Sequence, residues 1–330
     1  MKRCFYGGIF RVPEDLAKRL SDNDIQLVTS PEKGIISEDK LIEAVRESDA
    51  VLAGGERYSE KVFDSAPKLK IVARTGVGYD QIDVHAATER GIYVTYAPIP
   101  ELASSVAEHT MALILAFSKR ICYFNSAIRS GYWDRSAWLE GIEDLYHLTL
   151  GILGAGRVGR EVAKRARAFG MNVIYYDVNR NAEFERDLNV TYASLEQLLT
   201  SSDIISIHTP LTPETRHMIN KDTLKKMKSN ALIINAARGR IVDEPSLAEA
   251  LREHRIRGAC LDVLNEEPPA EGHVFYKLGE ELPNLILTPH LAHGRYTVSA
   301  VMEAAAEDVI RVLSGRLPRY PLNEGLAPRR

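Results

Sequence analysis

The sequence predicts an α/β protein made of two doubly wound parallel sheets. Its 330 residues suffice for two domains. Short apolar runs alternate with amphipathic stretches along most of the chain, which is typical of parallel strands joined by helices on both faces of a sheet. Near the middle of the chain, a glycine-rich turn separates an apolar run from a helical pattern and marks the start of the second sheet.

The first hundred residues contain five apolar runs and four amphipathic stretches. The predicted strands span residues 4–10, 25–28, 50–53, 71–74 and 92–94, and the predicted helices span 13–20, 38–47, 59–65 and 84–90. The loop RTGVGYD, residues 74–80, follows the fourth strand. Glycine-rich loops at the carboxyl ends of parallel strands bind ligands in open α/β sheets, so this loop is either a binding loop or a plain turn.

A long helical segment, residues 101–129, ends at Gly131 and precedes the glycine-rich turn. We therefore expect this segment to carry the chain from one domain to the other. His109, within it, is expected to be a packed or capping histidine rather than a catalytic one. The polar stretch that follows holds both tryptophans, Trp133 and Trp138, which indicates a protein interface.

The glycine-rich turn has the spacing G-x-G-x-x-G, formed by Gly154, Gly156 and Gly159. It follows the apolar run 150–153, and the helical pattern after it leads to a second apolar run that ends at Asp177. The first glycine permits a tight turn, the second admits a pyrophosphate close to the backbone, and the third lets the helix pack on the strand. Because the helix N-terminus also offers N–H groups to the anion, a dinucleotide site is predicted.

Asp177 decides the predicted cofactor. A carboxylate at the end of the second strand accepts hydrogen bonds from an adenosine ribose. The same carboxylate repels the 2′-phosphate of NADP, so NAD is the predicted cofactor. Arg180, three residues further on, can accommodate that phosphate and leaves NADP as the alternative.

The alternation of strands and helices resumes after Asp177. Strands are predicted at 203–208, 231–235, 258–263 and 285–287, and helices at 195–199, 221–227, 244–254 and 298–314. Arg238, Glu267 and His290 follow three of these strands and form an acid–base set beside the predicted dinucleotide crevice. A histidine donates a proton at neutral pH, a carboxylate orients the imidazole, and a guanidinium grips a substrate carboxylate. The set predicts hydride transfer on a 2-keto or 2-hydroxy acid.

Composition and charge exclude several classes of protein. A formal net charge of −3 lacks the excess of positive charge that is typical of proteins that bind nucleic acid or an anionic membrane, so neither partner is expected. The longest apolar run of the central helix, 111–117, is too short to cross a bilayer. Cys4, Cys122 and Cys260 are far apart and form no CxxC pair, so we expect reduced thiols in a cytoplasmic protein and no metal site.

Seven stretches carry the motifs of a known family. They are RTGVGYDQIDV (74–84), SVAEHTMALIL (105–115), GILGAGRVGREVAKRARAFGMNVIYYD (151–177), HTPLTPETRHMIN (208–220), NAARGRIVDEPSLAEAL (235–251), GACLDVLNEEPP (258–269) and LPNLILTPHLA (282–292). On these motifs the chain resembles the D-isomer-specific 2-hydroxyacid dehydrogenases, a family that includes glyoxylate/hydroxypyruvate reductases and D-3-phosphoglycerate dehydrogenases. The resemblance implies an NAD-dependent enzyme that interconverts a small D-2-hydroxy acid and its 2-keto acid. It also implies a Rossmann NAD-binding domain, residues 102–294, inserted into a flavodoxin-like substrate domain, residues 1–101 and 295–330.

The resemblance also assigns roles to individual residues. Arg238, Glu267 and His290 match the family's catalytic positions. The positions predicted to contact the cofactor are Gly154, Gly156, Arg157, Val158, Gly159, Asp177, Thr209, Pro210, Ala236 and Asp262. Val77 and Gly78 match the loop whose backbone amides hold the substrate carboxylate together with Arg238. Members of the family are usually homodimers built around the cofactor domain and its long helix.

Four positions bear on the choice of substrate. Tyr96 and Ile99 replace a common asparagine and glycine near the hinge, which can alter substrate fit. Formate dehydrogenases have glutamine at the position of Glu267, which argues against formate. Trp138 resembles the tryptophan that glyoxylate/hydroxypyruvate reductases lend to the neighbouring subunit's pocket. Glyoxylate or hydroxypyruvate, phosphoglycerate and bulkier 2-keto acids remain open as substrates, and a dinucleotide-sensing corepressor on the same fold is the alternative function.

Overall fold

The computed structural model describes residues 1–32, 34–133, 141–277 and 284–326. The chain divides into two compact units. One unit comprises Met1–Leu102 and Gly294–Arg330, and the other comprises Ala103–His293. Each unit contains one sheet whose strands are all parallel and are joined through helices. The predicted α/β class with two doubly wound parallel sheets is therefore confirmed.

The first unit holds a five-stranded sheet. Its elements are β1 (Lys2–Tyr6), α1 (Glu14–Ser21), β2 (Ile25–Thr29), α2 (Glu38–Val45), β3 (Ala50–Ala53), α3 (Glu60–Ser65), β4 (Ile71–Arg74), α4 (Val84–Glu89), β5 (Tyr93–Thr95) and the last helix, α13 (Arg295–Leu313). The strand order β2-β1-β3-β4-β5 is the flavodoxin-like order. Helices α1 and α13 cover one face of the sheet, and α2, α3 and α4 cover the other.

The predicted first strand, residues 4–10, is wrong at both ends, because β1 spans Lys2–Tyr6. Gly7 and Gly8 leave the sheet where the chain passes close to the end of β3. A Cβ atom built on Gly54 would lie only 2.7 Å from the Cα atom of Gly8. Two loops therefore meet where the strand order reverses, and only residues without side chains fit there.

The second unit holds a seven-stranded sheet. Its elements are α5 (Pro100–Ser118), which contains the boundary between the units, α6 (Ile121–Arg129), β6 (Thr149–Leu153), α7 (Arg157–Ala168), β7 (Asn172–Tyr176), α8 (Ala182–Leu188), β8 (Thr191–Tyr192), α9 (Leu195–Ser201), β9 (Ile204–Ile207), α10 (Lys221–Lys226), β10 (Leu232–Asn235), α11 (Glu244–Arg252), β11 (Gly258–Leu261), α12 (Val274–Lys277) and β12 (Leu285–Leu287). The strand order is β12-β11-β10-β9-β6-β7-β8. This is the Rossmann order with an added edge strand, and it reverses between β6 and β9.

The sheet of the second unit is covered on both faces. Helices α5, α7 and α8 contribute Ile114, Val162 and Phe184 to one buried cluster, whereas α9, α10 and α11 contribute to the other. The central strands are consequently buried along their whole length and mostly apolar, as in other parallel sheets with two covered faces. This packing holds the carboxyl ends of the central strands at one edge, where the predicted site residues follow.

The predicted single helix over residues 101–129 is wrong. The chain forms α5 and α6 instead, bent by 56° between them. Arg120 precedes α6 in the left-handed conformation, with φ of 51°, and this conformation cannot continue an α-helix. Within the part of the chain that the structure describes, no single helix is long and apolar enough to cross a membrane; α5 and α6 meet that criterion only as a bent pair.

Candidate active site

The glycine turn after β6 lies against the loop after β9. Gly154 has φ of +96°, and a Cβ atom on it would lie 2.8 Å from the carbonyl carbon of His208 and the amide nitrogen of Thr209. A Cβ atom on Gly159 would lie 2.1 Å from the carbonyl oxygen of Gly154. Around Gly156, by contrast, a Cβ atom would meet open space. Two of the glycines are therefore required by packing, and the third leaves room in front of α7.

Helix α7 presents its N-terminus at this turn. Its N-cap is Gly156, which has no side chain to accept a hydrogen bond from the first-turn amides. Arg157 and Val158 are the first two residues of the helix. Because unsatisfied N–H groups and the helix dipole attract anions, this end of α7 suits the pyrophosphate of a dinucleotide.

Asp177 follows β7 and is held against the same turn. Its Oδ2 atom accepts a hydrogen bond from the Ala155 amide at 2.8 Å, and its Oδ1 atom accepts one from the Asn179 amide at 3.1 Å. Arg180 donates two hydrogen bonds to Glu185, at 2.9 and 2.8 Å. The Arg180 guanidinium thereby lowers the pKa of Glu185 to about 2. The carboxylate of Asp177 is thus oriented beside the turn, and the guanidinium of Arg180 already pairs with Glu185.

Four further positions predicted to contact the cofactor follow the central strands. Thr209 and Pro210 follow β9, Ala236 directly follows β10, and Asp262 directly follows β11. The Oγ1 atom of Thr209 and the Oδ2 atom of Asp262 are buried and have no hydrogen-bond partner among the described residues. Buried polar atoms rarely stay unpaired, so these two oxygens suit the donors of a bound ligand. Together with the turn, they fit a nicotinamide dinucleotide.

Asp262 is only 1% exposed. Its Oδ1 atom accepts hydrogen bonds from Thr288 Oγ1 at 2.5 Å and the Leu291 amide at 3.1 Å, and it lies 3.3 Å from His109 Nε2. Burial alone raises the pKa of Asp262, but the hydrogen bonds from His109, Thr288 and Leu291 outweigh it and hold the pKa below its ordinary value. Asp262 is therefore an ionised acceptor whose Oδ2 atom remains available.

Glu267 and His290 are joined by a hydrogen bond. The Nδ1 atom of His290 lies 2.6 Å from Glu267 Oε2, and Glu267 Oε1 accepts from the Leu264 amide at 2.9 Å. The His290 amide donates to the Asp262 carbonyl at 2.7 Å, which ties this histidine to the end of β11. The side chains of His290 and Glu267 are 43% and 34% exposed. No described residue hydrogen-bonds to Nε2 of His290, so that nitrogen can meet a ligand.

Arg238 follows β10, the strand next to β11. Its carbonyl oxygen accepts a hydrogen bond from the Asn235 side chain at 2.9 Å, and its guanidinium donates to the Ala237 carbonyl at 2.7 Å. A Cβ atom on Gly239 would lie 2.0 Å from the carbonyl carbon of Leu264. The backbone after Arg238 therefore packs directly on the turn that carries Glu267.

The loop with Val77 and Gly78 belongs to the first unit and follows β4. The Nε atom of Arg74 donates to the Gly78 carbonyl at 2.8 Å, and the Ala97 amide donates to the Gly76 carbonyl at 2.8 Å. Val77 is 41% exposed. Neither the Val77 nor the Gly78 amide donates a hydrogen bond to a described residue. The loop is thus pinned by its carbonyl groups while two adjacent N–H groups remain to bind an anion.

Two polar networks could not be recognised from the sequence. One joins His109 to Thr288 and Asp262, and the other joins Glu244 to His273 at 3.1 Å. Their members lie on separate elements, so spacing along the chain does not reveal them. Trp138 lies outside the described residues.

Comparisons with known proteins identify the family of the chain. A family model described as the NAD binding domain of D-isomer specific 2-hydroxyacid dehydrogenases matches residues 111–292, more than half of the chain. The chain belongs to the D-isomer-specific 2-hydroxyacid dehydrogenase family. The matched segment includes every residue predicted above to be catalytic or to contact the cofactor.

Relatives of this 2-hydroxyacid dehydrogenase match nearly all of it. Glyoxylate reductase of Pyrococcus furiosus is 38% identical over 321 residues, which cover 95% of this chain and 93% of that protein. D-3-phosphoglycerate dehydrogenase of Methanocaldococcus jannaschii is 40% identical over 316 residues, which cover 94% of this chain and 57% of that protein. The structure of D-lactate dehydrogenase from Aquifex aeolicus, complexed with NAD and lactic acid, matches with a TM-score of 0.82 and 30% identity, covering 94% of this chain and 96% of that one.

Membership of the family fixes the class of reaction. This 2-hydroxyacid dehydrogenase is an NAD-dependent oxidoreductase that acts on a CH–OH group. The predictions of the family, the enzyme class and NAD as cofactor are therefore confirmed.

Proposed function

We propose that this dehydrogenase reduces a small 2-keto acid to the D-2-hydroxy acid and that His290 is its general acid. The observation that carries the proposal is the hydrogen bond of 2.6 Å between His290 Nδ1 and Glu267 Oε2. This bond directs one ring nitrogen to a carboxylate and leaves Nε2 for the substrate oxygen. The unpartnered buried oxygens of Thr209 and Asp262 support a nicotinamide site at the same strand ends.

The proposed chemistry adds one hydride to the carbonyl carbon and one proton to the carbonyl oxygen. NADH supplies the hydride when it is bound. His290 donates the proton from Nε2 to the developing alkoxide, and it takes that proton back when the reaction runs toward the keto acid. Glu267 keeps its hydrogen bond to Nδ1–H throughout, which fixes the ring and balances the charge of the protonated imidazole.

Arg238 and the loop of the first unit are proposed to bind the substrate. A guanidinium grips a carboxylate through two parallel hydrogen bonds and polarises the adjacent carbonyl, which a lysine cannot do with the same geometry. The amides of Val77 and Gly78 are the proposed donors to the substrate carboxylate. Arg74 supports this role because it holds the loop through the Gly78 carbonyl, which leaves the amides of Val77 and Gly78 available to the substrate.

We propose glyoxylate or hydroxypyruvate as the substrate, with phosphohydroxypyruvate as the alternative. The glyoxylate reductase of P. furiosus, which is similar over 95% of the chain, supports the first choice. Arg74 supports it as well, because its guanidinium donates to the carbonyl groups of Gly78, Ala53 and Thr75. These hydrogen bonds would compete with a phosphate for the same donors. Arg57 is exposed and is the cation through which a phosphate would bind if the alternative held.

A panel of 2-keto acids tests this choice. The oxidation of NADH would be followed with glyoxylate, hydroxypyruvate, pyruvate and phosphohydroxypyruvate, and each assay would be repeated with NADPH. We expect the highest kcat/KM on glyoxylate or hydroxypyruvate. A kcat/KM about tenfold higher for phosphohydroxypyruvate, equivalent to about 1.4 kcal/mol, would instead assign the phosphorylated substrate.

NAD is proposed to be strongly preferred over NADP. Asp177 is held against the glycine turn by the Ala155 amide, where a 2′-phosphate would meet its negative charge. Arg180 supports the same preference, because its two hydrogen bonds to Glu185 must break before it can bind a phosphate.

A homodimer is proposed because α6 has no buried side chain. Ile121 and Ile128 on α6 are 54% and 41% exposed, and Trp133 beyond it is 70% exposed. Apolar side chains clustered in this way are typical of protein interfaces. Light scattering should give the mass of two chains for the wild type and of one chain for Ile128→Asp. Leu317→Asp, at an exposed apolar position of the first unit, is the control that should stay dimeric. If Ile128→Asp also has the mass of two chains, this interface is refuted.

A cytoplasmic location is also proposed. Its support is that all three cysteines are free thiols. Cys4 is buried, and its burial raises the pKa of the thiol to about 12, so it stays unreactive.

A further inference from the structure

We propose that Glu244 is a positioning residue for the acid–base pair, and that His273 in turn fixes the carboxylate of Glu244. The inference rests on the proposed function, since it concerns the geometry of Glu267 and His290. Glu244 is the first residue of α11, and no hydrogen bond joins it directly to Glu267 or His290 among the described residues. It acts through the turn Leu264–Glu267.

Both carboxylate oxygens of Glu244 have partners inside the protein. The residue is 5% exposed. Its Oε1 atom accepts a hydrogen bond from the Asn265 amide at 2.8 Å, and its Oε2 atom lies 3.1 Å from Nε2 of His273. A buried carboxylate is costly unless its oxygens are hydrogen-bonded, and here each oxygen has a fixed partner.

The tautomer of His273 follows from its second contact. Its Nδ1 atom faces the Phe275 amide at 3.4 Å and must accept from that N–H group. Since Nδ1 accepts, Nε2 is the donor of this ring to Glu244. The His273 side chain is 11% exposed and packs beside the Phe275 ring, with the ring centroids 5.5 Å apart. His273 is therefore an oriented donor and not a solvent-exposed histidine.

The contacts of Glu244 lead to His290 through one short turn. Glu244 holds the amide of Asn265, and the adjacent amide of Leu264 donates to Glu267 Oε1 at 2.9 Å. The other oxygen of Glu267 binds His290. Two carboxylates thus hold successive N–H groups of the same turn, one from the buried side and one from the side of the acid–base pair.

The turn has little room to shift in other directions. A Cβ atom on Gly239 would lie 2.0 Å from the Leu264 carbonyl carbon and 2.4 Å from the Asn265 nitrogen. With Glu244 removed, the Asn265 amide is left without its partner and the turn must rotate to find another acceptor. Glu267 moves with the turn, and a displacement of about 1 Å in a catalytic group can lower turnover by roughly 10²-fold.

The test compares three variants with the wild type. In Glu244→Ala, we expect kcat to fall roughly 10-fold to 10²-fold while the Kd of NADH changes less than about twofold, because the cofactor contacts lie elsewhere. Glu244→Gln keeps an oxygen for the Asn265 amide but cannot accept from His273, so its kcat should lie between those of Glu244→Ala and the wild type. Glu249→Gln is the matched control, because Glu249 lies on the same helix, pairs with Lys221 at 3.1 Å and should leave kcat unchanged.

A double-mutant cycle with Glu267→Gln separates positioning from a general structural role. If Glu244 acts through Glu267, Glu244→Gln lowers kcat in the wild type and has no further effect in the Glu267→Gln background. Equal fold-losses in both backgrounds, or full kcat in both Glu244 variants, would overturn the inference while leaving the proposed function intact. Full turnover in Glu267→Gln alone would overturn the role proposed for Glu267 and this inference with it, whereas only the absence of turnover in the wild type would overturn the proposed function itself. The Glu244→Gln cycle decides the matter even if Glu244→Ala fails to fold.

Discussion

The Nδ1 atom of His290 lies 2.6 Å from the Oε2 atom of Glu267. Backbone groups hold both residues, because the His290 amide donates to the Asp262 carbonyl and Glu267 accepts from the Leu264 amide. The pair is therefore oriented by the backbone after β11 before any substrate arrives. Such preorganisation is what a general acid requires to meet a developing alkoxide without reorganising.

Replacement of Glu267 by glutamine should lower kcat by roughly 10²-fold with little change in the Kd of NADH. Glutamine preserves the shape of the side chain but removes the negative charge that balances the protonated imidazole. Steady-state kinetics and fluorescence titration with NADH measure the two quantities. Glu266→Gln is the control at the neighbouring exposed position, and equal kcat values in the two variants would show that the charge of Glu267 does not matter.

Replacement of Asp177 by alanine should weaken discrimination against NADP. The change removes the charge that repels the 2′-phosphate, and it frees the Ala155 amide from its present partner. We expect the ratio of kcat/KM for NADPH to that for NADH to rise about tenfold or more, equivalent to at least about 1.4 kcal/mol. Asp187→Ala, at an exposed position of α8, should leave the ratio unchanged. An unchanged ratio in Asp177→Ala would mean that Asp177 does not face the ribose.

The glycines of the turn should respond differently to alanine. Gly159→Ala places a Cβ atom 2.1 Å from the Gly154 carbonyl oxygen, so it should lower the free energy of unfolding by about 1–3 kcal/mol. Gly156→Ala places its Cβ atom in open space, so the variant should unfold as the wild type does but bind NADH more weakly. Thermal unfolding without cofactor and NADH titration test the pair. Wild-type NADH affinity in Gly156→Ala would contradict a dinucleotide in front of α7.

His208 should make the protein less stable in mild acid. Burial lowers the pKa of His208 in the folded protein to about 3, whereas its ordinary value is 6.5. The unfolded chain therefore takes up a proton as the pH falls below about 6.5 while the folded protein does not, and stability is lost in this range until the pH nears 3. Relative to His208→Gln, the wild type should lose roughly 1 kcal/mol of unfolding free energy between pH 6.5 and 5.5. Parallel pH dependences in denaturant titrations would contradict the lowered pKa of His208.

The strands and the glycine turn could be predicted because their signals are local. Apolar runs, helical periodicity and the spacing of Gly154, Gly156 and Gly159 all lie within short stretches of sequence. The break at Arg120 could not be predicted in the same way. Its neighbours continue an apolar helical pattern, and arginine is not a residue type that favours the left-handed conformation. Helix α8 was not predicted either, although Asn181 caps it through the Phe184 amide.

The polar networks around the acid–base pair depend on tertiary structure. His109 meets Thr288 across 179 positions of the chain, and Glu244 meets His273 across 29. Each residue alone could be an ordinary structural residue, and only the fold brings the partners together. The sequence could place His290 and Glu267 on strand ends, but not the hydrogen bond between them.

The oxidation of NADH by the wild type and His290→Asn, measured with glyoxylate and with hydroxypyruvate, tests the proposed reductase activity and the role of His290 most directly. Both proteins would first be titrated with NADH to establish that the cofactor binds equally. We expect turnover by the wild type and a loss of roughly 10²-fold to 10⁴-fold in kcat for His290→Asn. Equal turnover by the two proteins would contradict the role of His290. Tight NADH binding without turnover of any 2-keto acid by the wild type would contradict the proposed reductase activity.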